Sequence, residues 1–158
     1  MAVKPVPDGY HRLTPYLIVD GAAAEIEFYK KAFAATERMR HVAPDGKVGH
    51  AELLFGDSLV MLTDEFPDHG AHAPGKYGGS PVTLHLYAED VDAVTARALA
   101  AGAKEIRAVR NQFYGDRSGS FADPFGHVWH IATHVEDVSP EEVARRAAAA
   151  VQEQGAAS

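Results

Sequence analysis

The chain has 158 residues, 46% of them hydrophobic, a formal charge of −7 and no cysteine. That length fits one domain, or two small modules around a shared core. The missing cysteines exclude disulfides, thiolate metal sites and cysteine nucleophiles, and an acidic chain without a long basic run lacks the positive face that a nucleic-acid partner requires.

In chain order, residues 13–19 (LTPYLIV) read as a strand. Residues 21–34 read as a helix with Ala22, Ile26, Tyr29 and Phe33 near one face, and Asp20 is its expected N-cap. A short strand is expected over 36–42, and PDGK at 44–47 is a hairpin signal. Strands follow at 48–55 and 58–63 around the Gly56-Asp57 turn. DEFPDHGAHAPGKYGGSP, 64–81, is a Gly- and Pro-rich connecting loop in which His69 and His72 are expected to be solvated. The pattern then restarts with a strand over 82–88 and a helix capped by Asp90 and closing near Gly102, with Val91, Val94, Ala98 and Leu99 near one face. A strand over 104–109 comes next. Another is expected over 113–122, broken by Gly115 and Gly119, then a DPFG turn and a last strand over 127–133. SPEE at 139–142 is a capping box opening a final helix, amphipathic through Val143, Ala147 and Val151, whose Ala-rich end is expected to fray. It is expected to dock on the domain or on a dimer mate. No run of about 18 apolar residues exists, so no membrane span is expected. The N-terminal MAVKPVPDGYHR lacks the apolar core of a secretory signal, and a cytoplasmic location is the default expectation.

The order strand, helix, three strands occurs twice. YLIVDGAAAEIEFY corresponds to LHLYAEDVDAVTAR, and FGDSLVML to PFGHVWHI. The expected fold class is therefore α+β, built from two βαβββ modules at about 12–64 and 82–134 with a linker at 65–81. They form a single domain over 1–138, followed by a helix and tail at 139–158. Each module has one helix to cover one sheet face. The other face must also find cover, so the two sheets are expected to curl together, within one chain or across a dimer.

Side chains alternate along a strand. One parity is strongly apolar (Leu17, Val19, Leu53, Phe55, Val60, Leu62, Leu84, Leu86, Trp129, Ile131) and is expected beneath the helices. The opposite parity is more polar: Thr14, Tyr16, His50, Glu52, Leu54, Met61, Thr63, Thr83, His85, Tyr87 and His130. Such a mixture on a curled sheet suits a small-molecule cavity, and a solvated sheet face is the plainer alternative. Three histidines surround the only tryptophan in DPFGHVWHIATH. His127 is expected to bond backbone beside the turn, His130 to face the cavity, and His134 to take a structural bond or water at the strand end.

The duplicated layout, FYKKAF in the first helix, EDVDAVTARALAAGA in the second and DPFGHVWHI near the end resemble the vicinal oxygen chelate superfamily, the glyoxalase, bleomycin-resistance and extradiol dioxygenase fold. RSGSFADPFGHVWHIATHVEDVSPEE is most similar to its PhnB-like branch, and the resemblance covers about residues 12–138. It implies a site in the cupped sheet and a homodimer. It also implies four metal-ligand positions, which fall here on Thr14, Met61, Thr83 and His130. Only His130 is a good divalent-metal ligand, since Thr and Met do not make a Zn, Ni or Fe site.

Three readings follow. The first is a metal-free binder of a small molecule, with Tyr16, Tyr87, Tyr114 or Trp129 offering flat surfaces and His50, Glu52, Met61, Thr83, His85 and His130 supplying recognition. A net acidic chain suits a cationic or neutral ligand. The second is a metal-dependent lyase or dioxygenase in which His85, His130 and Glu52 hold Zn, Fe, Ni or Mn, or a metal-free acid–base enzyme using His130 with Glu52. The third is a non-catalytic dimeric interaction module whose sheet face is closed by a partner. Arg110, Arg117 and Lys104 suggest an anion only weakly, because scattered basic residues are usually solvated. No membrane or nucleic-acid partner is expected.

Overall fold

The computed structural model describes residues 2–156, the side chains of 153–156 excepted. The first module is β1 (Tyr16–Val19), α1 (Ala22–Phe33), β2 (Thr36–Val42), β3 (Val48–Phe55) and β4 (Ser58–Asp64). The second is β5 (Thr83–Tyr87), α2 (Val91–Ala100), β6 (Lys104–Asn111), β7 (Asp116–Ala122) and β8 (Val128–His134), and α3 (Pro140–Ala156) follows. Each module forms a four-stranded sheet of the same topology, β1-β4-β3-β2 and β5-β8-β7-β6. The first and last strands of each module run parallel and the other pairs antiparallel. The fold is thus two βαβββ modules and a C-terminal helix.

One core serves both modules. Leu53, Phe55, Val60 and Leu62 from the first sheet and Phe121, Trp129 and Ile131 from the second share it with Ile26 and Tyr29 of α1 and Val91, Val94 and Ala98 of α2. Trp129 stacks on Phe55 at 5.3 Å between ring centroids and meets Tyr29 edge-on at 5.3 Å, so the aromatic contacts cross the module boundary. Beneath them lies a polar knot. The Tyr29 hydroxyl lies between the Glu25 carboxyl and Asp123 Oδ2, the latter at 2.7 Å, and Asp123 Oδ2 also accepts from Trp129 Nε1 at 3.0 Å. Asp123 Oδ1 accepts the backbone N–H of Phe125 and His127. The DPFG turn is thereby tied to α1.

Several local expectations are corrected. Asp20 does not cap α1. Gly21 occupies that position at φ 100°, and Asp64 at the end of β4 accepts from both Gly21 N and Ala22 N, so the cap arrives through the sheet. Asp90 does cap α2, accepting from Ala93 N at 3.0 Å. β1 begins at Tyr16 rather than residue 13, although Pro15 O still accepts from Met61 N. β7 begins only at Asp116, because Gln112 to Gly115 closes a turn. In the loop, His72 is half-buried rather than solvated. It lines a cavity of about 350 Å³ between β1, the loop and β5.

Candidate functional site

Strand register decides which side chains meet on the faces turned away from the helices. On the second sheet, Arg107 pairs with Ser120, Ser120 with His130, and His130 with His85. Paired residues on neighbouring strands point to the same side. These four therefore form one row across all four strands, spanning about 14 Å at the usual inter-strand spacing. Ser120 Oγ lies 3.0 Å from His130 Nδ1, fixing that ring while leaving Nε2 unengaged. The His85 and His130 rings are 5.1 Å apart, and His85 meets Tyr87 edge-on at 4.6 Å. Burial, with the positive charge of His85 and Arg107 adding to it, holds His130 below the ordinary imidazole pKa. A neutral imidazole near pH 7 can donate and accept, which suits recognition or proton transfer.

One end of this face is closed from within the chain. Asp116 accepts from Tyr87 Oη at 2.9 Å and from His134 Nδ1 at 2.7 Å, and His134 Nε2 reaches Asp137 at 2.9 Å. These carboxylates, Asp116 first, raise the His134 pKa, and the hydrogen bond to Asp116 raises that of Tyr87. His134 is accordingly structural, and so is His127, whose Nε2 sits 3.2 Å from Ile18 O.

The first sheet carries the row Met39, Glu52, Met61, Tyr16. Glu52 is only 2% exposed because the N-terminal segment lies on it. Tyr10 Oη donates to the Glu52 carboxylate, 2.9 and 3.0 Å from its two oxygens. His50 Nε2 is 3.2 Å from Oε1, and Arg38 Nε is 3.8 Å from Oε2 with its guanidinium 4.6 Å above the Tyr10 ring. His50 also reaches Tyr16 Oη at 3.3 Å. Glu52 is therefore bound into a Tyr10–His50–Arg38 cluster on its own sheet.

The structure thus brings His85, His130 and Tyr87 together, and Tyr16, His50, Glu52 and Met61 together on the other sheet. It does not gather Glu52 with His85 and His130, and among the described residues no group of three His, Asp or Glu is arranged to hold a metal ion. The family's ligand positions fare no better: Met61 sits opposite Tyr16 and Glu52, Thr83 opposite Val128, and neither offers an imidazole or carboxylate. Those residues do not fit a divalent metal centre.

A groove of about 500 Å³ follows the unpaired edge of β5, lined by Thr83, His85, Tyr87 and Trp129, by Val60 of β4, and by His11 and Leu13 of the N-terminal segment. Its size lies within the range of small-molecule sites. Three contributors escaped the sequence reading. Arg107 was hidden because β6 carries register shifts on either side of it, which defeat a count by twos, whereas Ser120 lies on the regular β7 and shows its place only through its pairing with His130. Tyr10 lies outside any regular element, and no local signal pointed it at Glu52.

A family model described as the Glyoxalase/Bleomycin resistance protein/Dioxygenase superfamily matches residues 9–131. The Mycobacterium tuberculosis protein Rv0887c is 46% identical over 134 residues, covering 83% of this chain and 79% of its own. Among solved structures, the Arabidopsis thaliana gene product AT5G48480 superposes with a TM-score of 0.63 at 28% identity, over 78% of this chain and 98% of that one. The PhnB protein of Bacillus cereus superposes with a TM-score of 0.62 at 17% identity, over 78% and 99% of the two chains, a likeness of fold alone.

Proposed function

The chain belongs to the glyoxalase/bleomycin resistance protein/dioxygenase superfamily, and from that premise we propose that it binds a small organic molecule on the open sheet face around His130, without the metal centre of the family's metal-dependent members. The observation that carries this reading is the row of His85, His130 and Ser120 beside a groove of ligand size edged by Tyr87 and Thr83. A solvated face would not need an imidazole held by a serine and kept neutral. Tyr16 and Tyr87, 52% and 60% exposed, are flat surfaces available to a ligand. The metal-dependent alternative asks Glu52 to leave Tyr10, Arg38 and His50, all three of which hold it on its own sheet.

Within the superfamily we assign the chain to the PhnB-like branch, on the residues of its last two strands. We further propose that it acts as a homodimer in the cytoplasm, each copy helping to cover the other's open faces.

The test is a fragment screen by chemical-shift mapping on the labelled full chain, using neutral, anionic and cationic small molecules. Shifts are expected to cluster on Thr83, His85, Tyr87 and His130, and to vanish in His130→Ala. A screen whose shifts gather only in the cavity under the 64–81 loop, or nowhere, contradicts the proposal.

A further inference from the structure

The open face of the second sheet is more positive than the chain that carries it. The chain has a formal charge of −7. Arg38, Arg40, Arg117, Arg145 and Arg146 each lie within salt-bridge distance of a carboxylate. Arg107 and Arg110 have no such partner among the described residues. Register places Arg107 opposite Ser120 and Arg110 opposite Ser118, in adjacent rows of the same face. Asp116, on the same face of β7, is already engaged by Tyr87 and His134. Ser118 Oγ is buried on this face without a hydrogen-bond partner. Two uncommitted guanidinium groups, the Ser120 hydroxyl and two imidazoles thus share a surface, with Ser118 buried beneath it, and among the described residues no uncommitted carboxylate lies in these rows.

The geometry points to an oxyanion-binding strip along Arg107, Ser120, His130 and His85, which selects small organic molecules carrying a carboxylate or phosphate group. This rests on the open-face reading above and names its ligand class. A planar guanidinium matches the two oxygens of a carboxylate or phosphate, and charge-assisted hydrogen bonds are roughly twice as strong as neutral ones. His85 supplies a further donor along the row, and so does the Ser120–His130 pair through the one proton that its mutual hydrogen bond leaves free. An arriving anion also relieves the crowding of positive charge about His130. The expectation of a cationic or neutral ligand, drawn from net charge, is reversed locally, because binding responds to the charges lining the site.

Benzoate, benzamide and benzamidinium have nearly the same shape and carry negative, zero and positive charge. Titrated into the full chain and followed by imidazole NMR, benzoate is expected to move the His85 and His130 signals and to raise the His130 pKa, while benzamidinium leaves both in place. Arg107→Met, at an exposed site where the fold is undisturbed, should weaken benzoate roughly tenfold without affecting benzamide. Ser120→Ala should weaken it less. Inorganic phosphate in a parallel arm separates a phosphate preference from a carboxylate one, and either supports the strip. Benzamidinium or benzamide moving the row more than benzoate overturns the oxyanion class and leaves small-molecule binding at this face standing. Silence of all anionic probes at the row, or wild-type benzoate binding by Arg107→Met, overturns the strip. Failure of the wider reading would instead need the whole fragment set to miss the face.

Discussion

Tyr29 has one hydroxyl proton and two carboxyl neighbours, so both contacts are hydrogen bonds only if a carboxyl carries a proton of its own. Burial, and next the charge of Asp123, push the Glu25 pKa well up, which identifies Glu25 as the protonated partner donating to Tyr29 while Tyr29 donates to Asp123. A folded-state pKa above the unfolded one means that Glu25's contribution is fully present below the ordinary carboxylate range. It is lost as pH rises through the raised value. Glu25→Gln, whose amide can make the same donation, should therefore flatten the decline of Tm on the alkaline side, and an unchanged slope would count against the neutral Glu25. Tyr29→Phe strands Glu25 and removes one of the donors to Asp123, and should cost about 1–3 kcal/mol in denaturant unfolding. His134 and His130 should separate in an imidazole titration, His134 above the ordinary range and His130 below it. Because the His134 pKa is raised, its contribution to stability is present at acid pH and fades as pH climbs through that value. Asp116→Asn should bring His134 down, and titration of His134 at its wild-type value in that variant would contradict the assignment.

At the scale of elements, the start of α1 depends on a residue more than 40 positions away. Asp64 accepts from Gly21 N, Ala22 N and Val48 N, so Asp64→Ala should cost about 1–2 kcal/mol, whereas Asp20→Ala should be near neutral. Gly115 makes the turn into β7 at φ 101°, and an added Cβ would lie 2.1 Å from Glu136 O. Gly115→Ala should therefore destabilise by about 1 kcal/mol or more and loosen the 135–138 segment that leads into α3, which hydrogen exchange would report. These two cases mark how far the sequence could be read. Helices α1, α2 and α3, the duplication and the apolar parity of the strands were legible, because period and propensity are local. The Asp64 cap, the Tyr10 cover on Glu52 and the Arg107–Ser120 pairing are tertiary: each needs a register or an approach that no short window contains. The candidate site was half legible for the same reason. His85, Tyr87 and His130 sit on regular strands, while Arg107 follows an irregularity in β6.

At the scale of the molecule, the surface is too large for a compact chain. It measures 9902 Å², against roughly 7,700 Å² expected for a monomer of this mass. Exposed Tyr16, Met39, Tyr87 and Ile106 lie on the sheets rather than in loops. The proposed homodimer would cover part of this excess, and sedimentation should return twice the chain mass, falling to one chain when Tyr16 and Tyr87 are both replaced by Glu. No helix among the described residues is long and apolar enough to cross a membrane. The central proposal is that this fold, with Thr14, Met61 and Thr83 at the positions the family resemblance assigns to metal ligands, works through its open sheet face without a metal. Elemental mass spectrometry on untagged protein purified without chelator, before and after incubation with excess Zn, Fe, Ni or Mn, tests it most directly. Far less than one metal per chain is expected, unchanged in His130→Ala. Near-stoichiometric metal that disappears in His130→Ala would contradict it.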